Sequence, residues 1–381
     1  MSWPQPKVID TLNPPGKLHR GRWLVFFIIL MVITGITFAL MWPNNNYLKQ
    51  WTFWFGLISI PTIVSGVALS IRFYLYGLAQ EEYEIWQQEQ KIIQQNWQMW
   101  AMKSLIVLDS YYSLPNQITA KQILVDNSNL AVQINNSLKF DEKLGVNQHI
   151  EDLFFSLRPF FSKLPLTEPI NITMYSSDQS YSYVDDDIYN ACRAAQIAQP
   201  YTFSHKMVIH ADIEKLVEWI DIDQKALQLV IINNTKSSNS AFLCAFLLMD
   251  KQQYRNLSVD IAKAEILRPM TTDNLQVAIN QMVELQPAIC QVNQLWFANL
   301  DNKQEVNITK QLADLNISPE QMYKLGSLVG NQNELSYWLS LALACEMVTE
   351  TKQTNLITAM SQNQWLFSVV TAVNLGVMNE E

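Results

Sequence analysis

Glycine is scarce, with ten residues in a chain of 381. Loops that cradle phosphate need glycine so that the backbone can approach the ligand closely. No G-x-G-x-x-G, Walker A or G-x-S-x-G pattern occurs, so neither nucleotide binding nor a cofactor is expected. Cysteine is sparse too: Cys192, Cys244, Cys290 and Cys345 each lie in an apolar stretch, and none forms a C-x-x-C pair. They read as small buried residues in a reducing compartment, with spacings that give no disulfide framework. The histidines are His19, His149, His205 and His210. No two have metal-ligand spacing on a helix, and His205 and His210 would face opposite sides of a strand. Charge is low: 16% of residues, against roughly 25% in typical soluble proteins. The net charge of −9, with no basic stripe beyond the N-terminal flank, argues against a nucleic-acid partner.

What is abundant is apolar. Residues 23–42 (WLVFFIILMVITGITFALMW) carry no charge and have tryptophan at both ends. A helix of that length covers about 30 Å, the hydrocarbon thickness of a bilayer, and indoles favour its two interfaces. A second uncharged run, residues 51–71, lies between Lys49 and Arg72 and contains Pro61, which is expected to kink it. The first run is too long for the core of a cleaved signal peptide, and a second span follows at once. Lys7, Lys17, Arg20 and Arg22 precede the first span, whereas the connecting loop holds only Lys49. The positive-inside rule then places the N-terminus and everything after Arg72 in the cytoplasm, on a bacterial inner membrane. The expected organisation is a tail (1–22), two transmembrane helices (23–71), an amphipathic juxtamembrane helix (78–102) and a soluble α/β domain (103–381).

In the juxtamembrane helix Tyr83, Trp86, Ile93, Trp97 and Trp100 recur on one face. That stripe would pack on the chain's own domain, or form an interaction surface on Trp86, Trp97 and Trp100 for a partner protein or a second copy. The acidic polar face argues against lying flat on lipid. Beyond it, strands expected at 103–111, 130–134, 170–175, 207–210, 227–232, 241–249, 261–267, 294–298, 356–360 and 365–373 alternate with helices. Such alternation predicts an α/β sheet with covered faces, and runs such as LQLVII and AFLCAFLLM suit buried central strands. Linker-like points are Pro14–Pro15 and residues 164–169. No periodic repeat is legible. Asp185, Asp186 and Asp187 open a predicted helix, where acids suit the helix dipole; a cation site or acid/base pair is the alternative reading.

From Ala226 onward the order of elements resembles the C-terminal half of the thiolase and β-ketoacyl synthase superfamily. Residues 240–250 (SAFLCAFLLMD) match its apolar strand, 295–301 (LWFANLD) the strand ending in a catalytic loop, and 325–330 (LGSLVG) the turn opening a long helix at 335–347. The resemblance implies a mixed-sheet α/β fold with a nucleophilic cysteine at a helix N-terminus and histidines in two loops. Phe297–Ala298–Asn299 and Gly326–Ser327 stand in those loops without histidine, and Cys192 falls inside a helix pattern. This implies a degenerate thiolase-like domain. A second resemblance, carried by Trp97, Trp100, residues 105–108, Leu114 and Pro115, is to two-span inner-membrane proteins of bacterial type VI secretion clusters. Together these lead to the expectation of a non-catalytic membrane-anchored adaptor, not an enzyme, that binds a protein partner and forms a homo-oligomer at most through its tryptophan seam. A membrane-anchored acyl-transfer or hydrolytic enzyme and a toxin-immunity protein are the alternatives.

Overall fold

The computed structural model describes residues 3–4, 12–17, 19–41, 48, 50–126, 129–141, 145–177, 184–221, 226–257 and 260–374. Most of the expected external loop, Lys7 of the tail, and residues 180–183 ahead of the acid triplet lie outside them. The chain forms two compact units, one of residues 5–96 and one of residues 1–4 with 97–381.

The smaller unit is a helical hairpin. Helix α1 (Arg20–Met41) and the first part of α2 (Trp51–Ala101) are each long and apolar enough to cross a membrane. Their hydroxyls are satisfied within the helix: Thr34 donates to the Leu30 carbonyl at 2.8 Å and Thr62 to that of Ile58 at 2.7 Å. That is the bonding a lipid solvent demands. Glycine lets the helices approach, since a Cβ at Gly56 would meet the Phe38 ring at 2.6 Å. Pro61 lies inside α2, whose helix runs on past it.

The larger unit starts with β1 (Ser104–Ser113), α3 (Ala120–Asp126), α4 (Val146–Phe161), β2 (Ile170–Ser176), α5 (Val184–Ala194), β3 (Tyr201–Met207), α6 (Ile213–Asp221), β4 (Leu227–Asn233) and β5 (Leu243–Asp250). After α7 (Lys251–Leu257) come β6 (Ala264–Leu267), β7 (Met270–Thr272), α8 (Leu275–Leu285), a 3₁₀ turn (Pro287–Gln291) and β8 (Val292–Ala298). The chain closes with α9 (Asn302–Asp314), β9 (Gln321–Lys324), α10 (Leu325–Val329), α11 (Ser336–Thr351), β10 (Thr354–Ser361) and β11 (Gln364–Thr371).

Among the described residues the strands make one mixed sheet in the order β3-β2-β4-β5-β1-β6-β11-β10-β8-β9, with β7 on β11. It is built as a duplication. In the first half β2 is parallel to β3 and β4, β4 antiparallel to β5, and β5 antiparallel to β1. In the second, β8 is parallel to β9 and β10, β10 antiparallel to β11, and β11 antiparallel to β6. Antiparallel pairing of β1 with β6 joins the halves. The repeat that is not legible as a sequence period is thus present in the topology.

Helix α11 explains why the halves stay together. Twelve of its sixteen residues are buried, all the way round its circumference. Such a helix has no face to give to water and must be enclosed. It packs on β1 and β5 of the first half and on β6, β8, β10 and β11 of the second. Trp338, in its first turn, has Tyr175 stacked on it at 6.5 Å and Phe246 at 5.9 Å. The opposite face of the sheet carries two separate cores, one under α4 and α5 and one under α8 and α9.

Two buried ion clusters bind the frame. Lys263, just before β6, pairs with Asp109 of β1 and with Glu346 of α11. Burial pulls the Lys263 ammonium down, but the two carboxylates together outweigh it and hold it above its ordinary value. Arg268, fully buried, pairs with Asp221 at the end of α6 and donates to the Trp100 carbonyl at 3.0 Å. Its guanidinium lies 4.0 Å from the centre of the Trp100 ring.

Two expectations are corrected. Residues 130–134 form no strand, and the strand expected at 207–210 ends at Met207. β3 is a sheet edge with alternating half-exposed residues, so its sequence (YTFSHKM) lacks the apolar run that marks an interior strand.

Replacing Trp338 with alanine should destabilise the chain by about 3–5 kcal/mol, because the cavity would sit between α11 and the Tyr175 and Phe246 rings of the first half; chemical denaturation of the full chain in detergent measures it. Asp221 offers a pH test. The Arg268 hydrogen bond holds its carboxyl below the ordinary value. Its contribution is therefore complete above the unfolded carboxylate pKa of roughly 4 and is lost as pH falls through the depressed folded value. Asp221→Asn should lower stability at neutral pH and flatten the acid limb of the stability profile. An unchanged acid limb would mean that the ion pair is not formed.

Candidate functional site

A cleft of about 690 Å³ opens where the parallel strands end. In open α/β sheets this edge is where ligands bind, because the connecting loops converge there. One wall is the β3–α6 connection, residues 207–214; the other is Thr271 of β7, the β10–β11 turn, and Gln364 and Leu366 of β11. The lining is mixed: Met207, Val208, Ile209, Ile213 and Leu366 are apolar, while His210, Asp212, Glu214, Thr271, Ser361, Gln362 and Gln364 are polar.

The chemistry gathers at its rim. His210 Nδ1 lies 2.7 Å from Glu334 Oε2, the two side chains being 46% and 28% exposed. The same carboxylate oxygen accepts from the Ser361 hydroxyl and, at 3.1 Å, from the backbone N–H of Gln362. His210 comes from the first half and Glu334 from the second. With Nδ1 engaged, Nε2 has no protein partner among the described residues. A carboxylate on one ring nitrogen fixes the tautomer and orients the other nitrogen as a base.

The loops that hold these groups are braced. Gln362 and Asn363, the two residues between β10 and β11, both have left-handed backbones (φ 50° and 61°), as a tight two-residue hairpin turn requires. That turn brings the Ser361 hydroxyl and the Gln362 N–H onto one carboxylate. Ahead of α11, Asn333 donates to Asn234 Oδ1 at 3.0 Å, and Gln332 accepts from the Asn299 N–H at 2.6 Å. Gly330 stands at φ 86°, where a Cβ would lie 2.1 Å from the Asn136 carbonyl oxygen, so only glycine fits.

The residues singled out in the sequence fall elsewhere or take other roles. Cys192 lies near the C-terminal end of α5, buried, and burial pushes its thiol up to about 12 against the hydrogen bond with Tyr201. Burial also raises Cys244 and Cys345, while Cys290 is exposed in the 3₁₀ turn. None of the three buried thiols is poised as a thiolate. The loops at Asn299 and Gly326 do converge, on Gln332: a Cβ at Gly326 would stand 2.7 Å from its side-chain nitrogen. His149 is buried against Phe140, and burial lowers its pKa. Asp185, Asp186 and Asp187 occupy the first turn of α5. Among the described residues no cluster with metal-ligand geometry occurs. Trp97 and Trp100 pack into the core under α8 and α9, with ring centres 4.7 Å apart and Trp3 edge-on to Trp100 at 5.8 Å. Trp86 belongs to the other unit and is half-buried.

The pair that matters, His210 and Glu334, was not legible. The residues are 124 positions apart, and His210 was placed on a strand that ends three residues earlier. The one usable signal is Glu334 just ahead of a helix rich in Leu and Ala.

No protein-family model matches this chain, and no curated protein matches it. In fold it is similar to a type II PKS ketosynthase solved with its acyl-carrier protein and bound to the hexaketide (12% identity, TM-score 0.49, covering 71% of this chain and 100% of that one). It is likewise similar to cerulenin-bound OleA of Xanthomonas campestris (10% identity, TM-score 0.48, covering 71% and 99%). A Cys-to-Ser variant of OleA with bound lauric acid and lauroyl-CoA gives 10% identity and a TM-score of 0.46 over 71% and 99%. The larger unit's own strand order makes it a mixed-sheet α/β fold, in line with the expected fold class, and these thiolase-like structures are similar to it. The expectation that the chain is not an enzyme is corrected to this extent: the solved structures it is similar to in fold include a ketosynthase, and nothing in them supports a non-catalytic role.

Proposed function

We propose that this chain is a membrane-anchored hydrolase of acyl esters or thioesters, working by general-base catalysis from His210. The observation that carries the reading is the His210–Glu334 pair, held at 2.7 Å beside a cleft that His210 helps to line. Met207, Val208, Ile209 and Leu366 offer an apolar surface to an acyl chain, and the polar groups among them suit a carbonyl and an incoming water.

In this reading His210 Nε2 takes a proton from water as the water oxygen bonds to the acyl carbon. The tetrahedral adduct then expels the alkoxide or thiolate, which recovers that proton from His210. Glu334 keeps the Nδ1–H oriented and stabilises the imidazolium that forms between the two steps. The N–H of Glu214, in the first turn of α6 at the cleft, supplies a donor for the oxyanion, that of Ile213 being taken by the Ala211 carbonyl. No cysteine takes part, in keeping with the raised thiol of Cys192.

The hairpin supports anchoring in an inner membrane, with the soluble domain on the cytoplasmic side by the positive-inside argument. The further adaptor role in a type VI secretion apparatus has no observation of its own. The interaction surface expected on Trp86, Trp97 and Trp100 narrows, as a proposal, to Trp86, since the other two are engaged inside their own domain.

The test is turnover of p-nitrophenyl acyl esters and acyl-CoA thioesters by the full chain in bilayer nanodiscs. Wild type should hydrolyse one class above buffer. His210→Asn should lower kcat about 10²–10⁴-fold, and Glu334→Gln by a smaller factor within that range. Ser361→Ala, which removes one of three donors to Glu334, should shift the pH–rate profile more than kcat. Absence of turnover in wild type, or full activity in His210→Asn, defeats the proposal.

A further inference from the structure

The end of the hairpin at which α1 begins carries a second cleft, of about 490 Å³, that the hydrolytic reading does not use. Cations reach it from both sides of the hairpin: Lys17 and Arg22 from the start of α1, and Arg72 from α2, with His19 beside them. Its floor is apolar, formed by Trp23 and Phe26, whose rings meet edge-to-face at 5.8 Å, and by Ala68, whose small side chain leaves room beside them.

None of these cations takes part in an ion pair among the described residues. No Asp or Glu occurs between residues 11 and 80. The nearest acid along α2, Glu81, stands about 13 Å beyond Arg72 at the helical rise, further than the Debye length of about 8 Å at physiological salt. Three permanent positive charges in one concave space are a standing attraction for an anion. Flanking cations placed only to set topology could splay outward separately; here residues from two helices share one cavity with aromatic rings beneath them.

We infer that this cleft binds the phosphodiester headgroup of an anionic glycerophospholipid. Lys17, Arg22 and Arg72 surround the phosphate oxygens, and Trp23 and Phe26 lie against the glycerol and the first part of the acyl chains. A free phosphate ion would use the cations but leave the rings without a partner, whereas a lipid uses both. The site rests on the membrane-anchored reading above, because only then does the cleft stand at headgroup depth.

The experiment uses the full chain in nanodiscs of phosphatidylcholine doped with phosphatidylglycerol, with native mass spectrometry reading the lipid retained after extraction. Wild type should retain phosphatidylglycerol in excess of its share of the bilayer, and each of Arg22→Gln and Arg72→Gln should cut that excess about fivefold. A large excess of inorganic phosphate should leave it in place. Equal retention by wild type and the double variant overturns the inference while leaving membrane anchoring intact, as does displacement by phosphate, which would mean a simple anion site. A chain that fails to enter the nanodisc overturns both readings.

Discussion

The structure of the larger unit depends on the enclosure of α11. A helix apolar on every side cannot lie on a surface, so the chain must supply walls for it all round. A single sheet half offers one face. Two halves, joined through β1 and β6 and sharing one core, offer enough, and α11 touches strands of both. The cost of failing to close this core is that of exposing Trp338, Leu339, Leu341, Leu343 and Met347 together. The same constraint fixes the site. Glu334 stands immediately ahead of α11, so whatever holds the helix also sets where that carboxylate can be.

The buried charges fit this picture as registration devices. Lys263 pairs with Asp109 across the β1–β6 junction and with Glu346 on α11, so one ammonium specifies the relative position of three elements. Arg268 does the same for the end of α6 and Trp100. Buried ion pairs are weak contributors to net stability because desolvation offsets their attraction, but removing one partner leaves a charge with nowhere to go. Trp97 and Trp100 carry the amphipathic pattern of an interface because they do form one, with the core under α8 and α9.

How much of this was legible follows from burial. Interior strands such as β4 and β5 are continuous apolar runs, because both of their faces are covered. The candidate spans and α11 announced themselves in the same way, by having no polar face. The edge strands β3 and β9 did not, since YTFSHKM and QMYK need only one neighbour and keep half their side chains near water. A strand read at 207–210 instead of 201–207 puts His210 within the strand and not in the loop that follows it. The duplication was hidden for a related reason: pairing geometry repeats between the halves while helix lengths diverge, from nine residues in α6 to sixteen in α11. A topological repeat needs only the same order of apolar and turn segments, not the same residues.

That duplication also accounts for where the candidate site lies. The β3–α6 connection of the first half corresponds to the β9–α11 connection of the second, since each follows the parallel strand at its own sheet edge. Antiparallel joining of β1 and β6 relates the halves by an approximate two-fold, which turns these equivalent loops toward each other. A symmetric ancestor would present the same residue from both sides, and like charges facing each other at 2.7 Å would repel. Here one loop supplies an imidazole and the other a carboxylate, so the two can pair where identical charged groups could not. The asymmetry extends to the supports: Glu334 receives Ser361 and the Gln362 N–H from its own half, while His210 is left with its second nitrogen free. The half that contains α11 supplies Glu334 with its supports, and the half that contains α6 supplies His210.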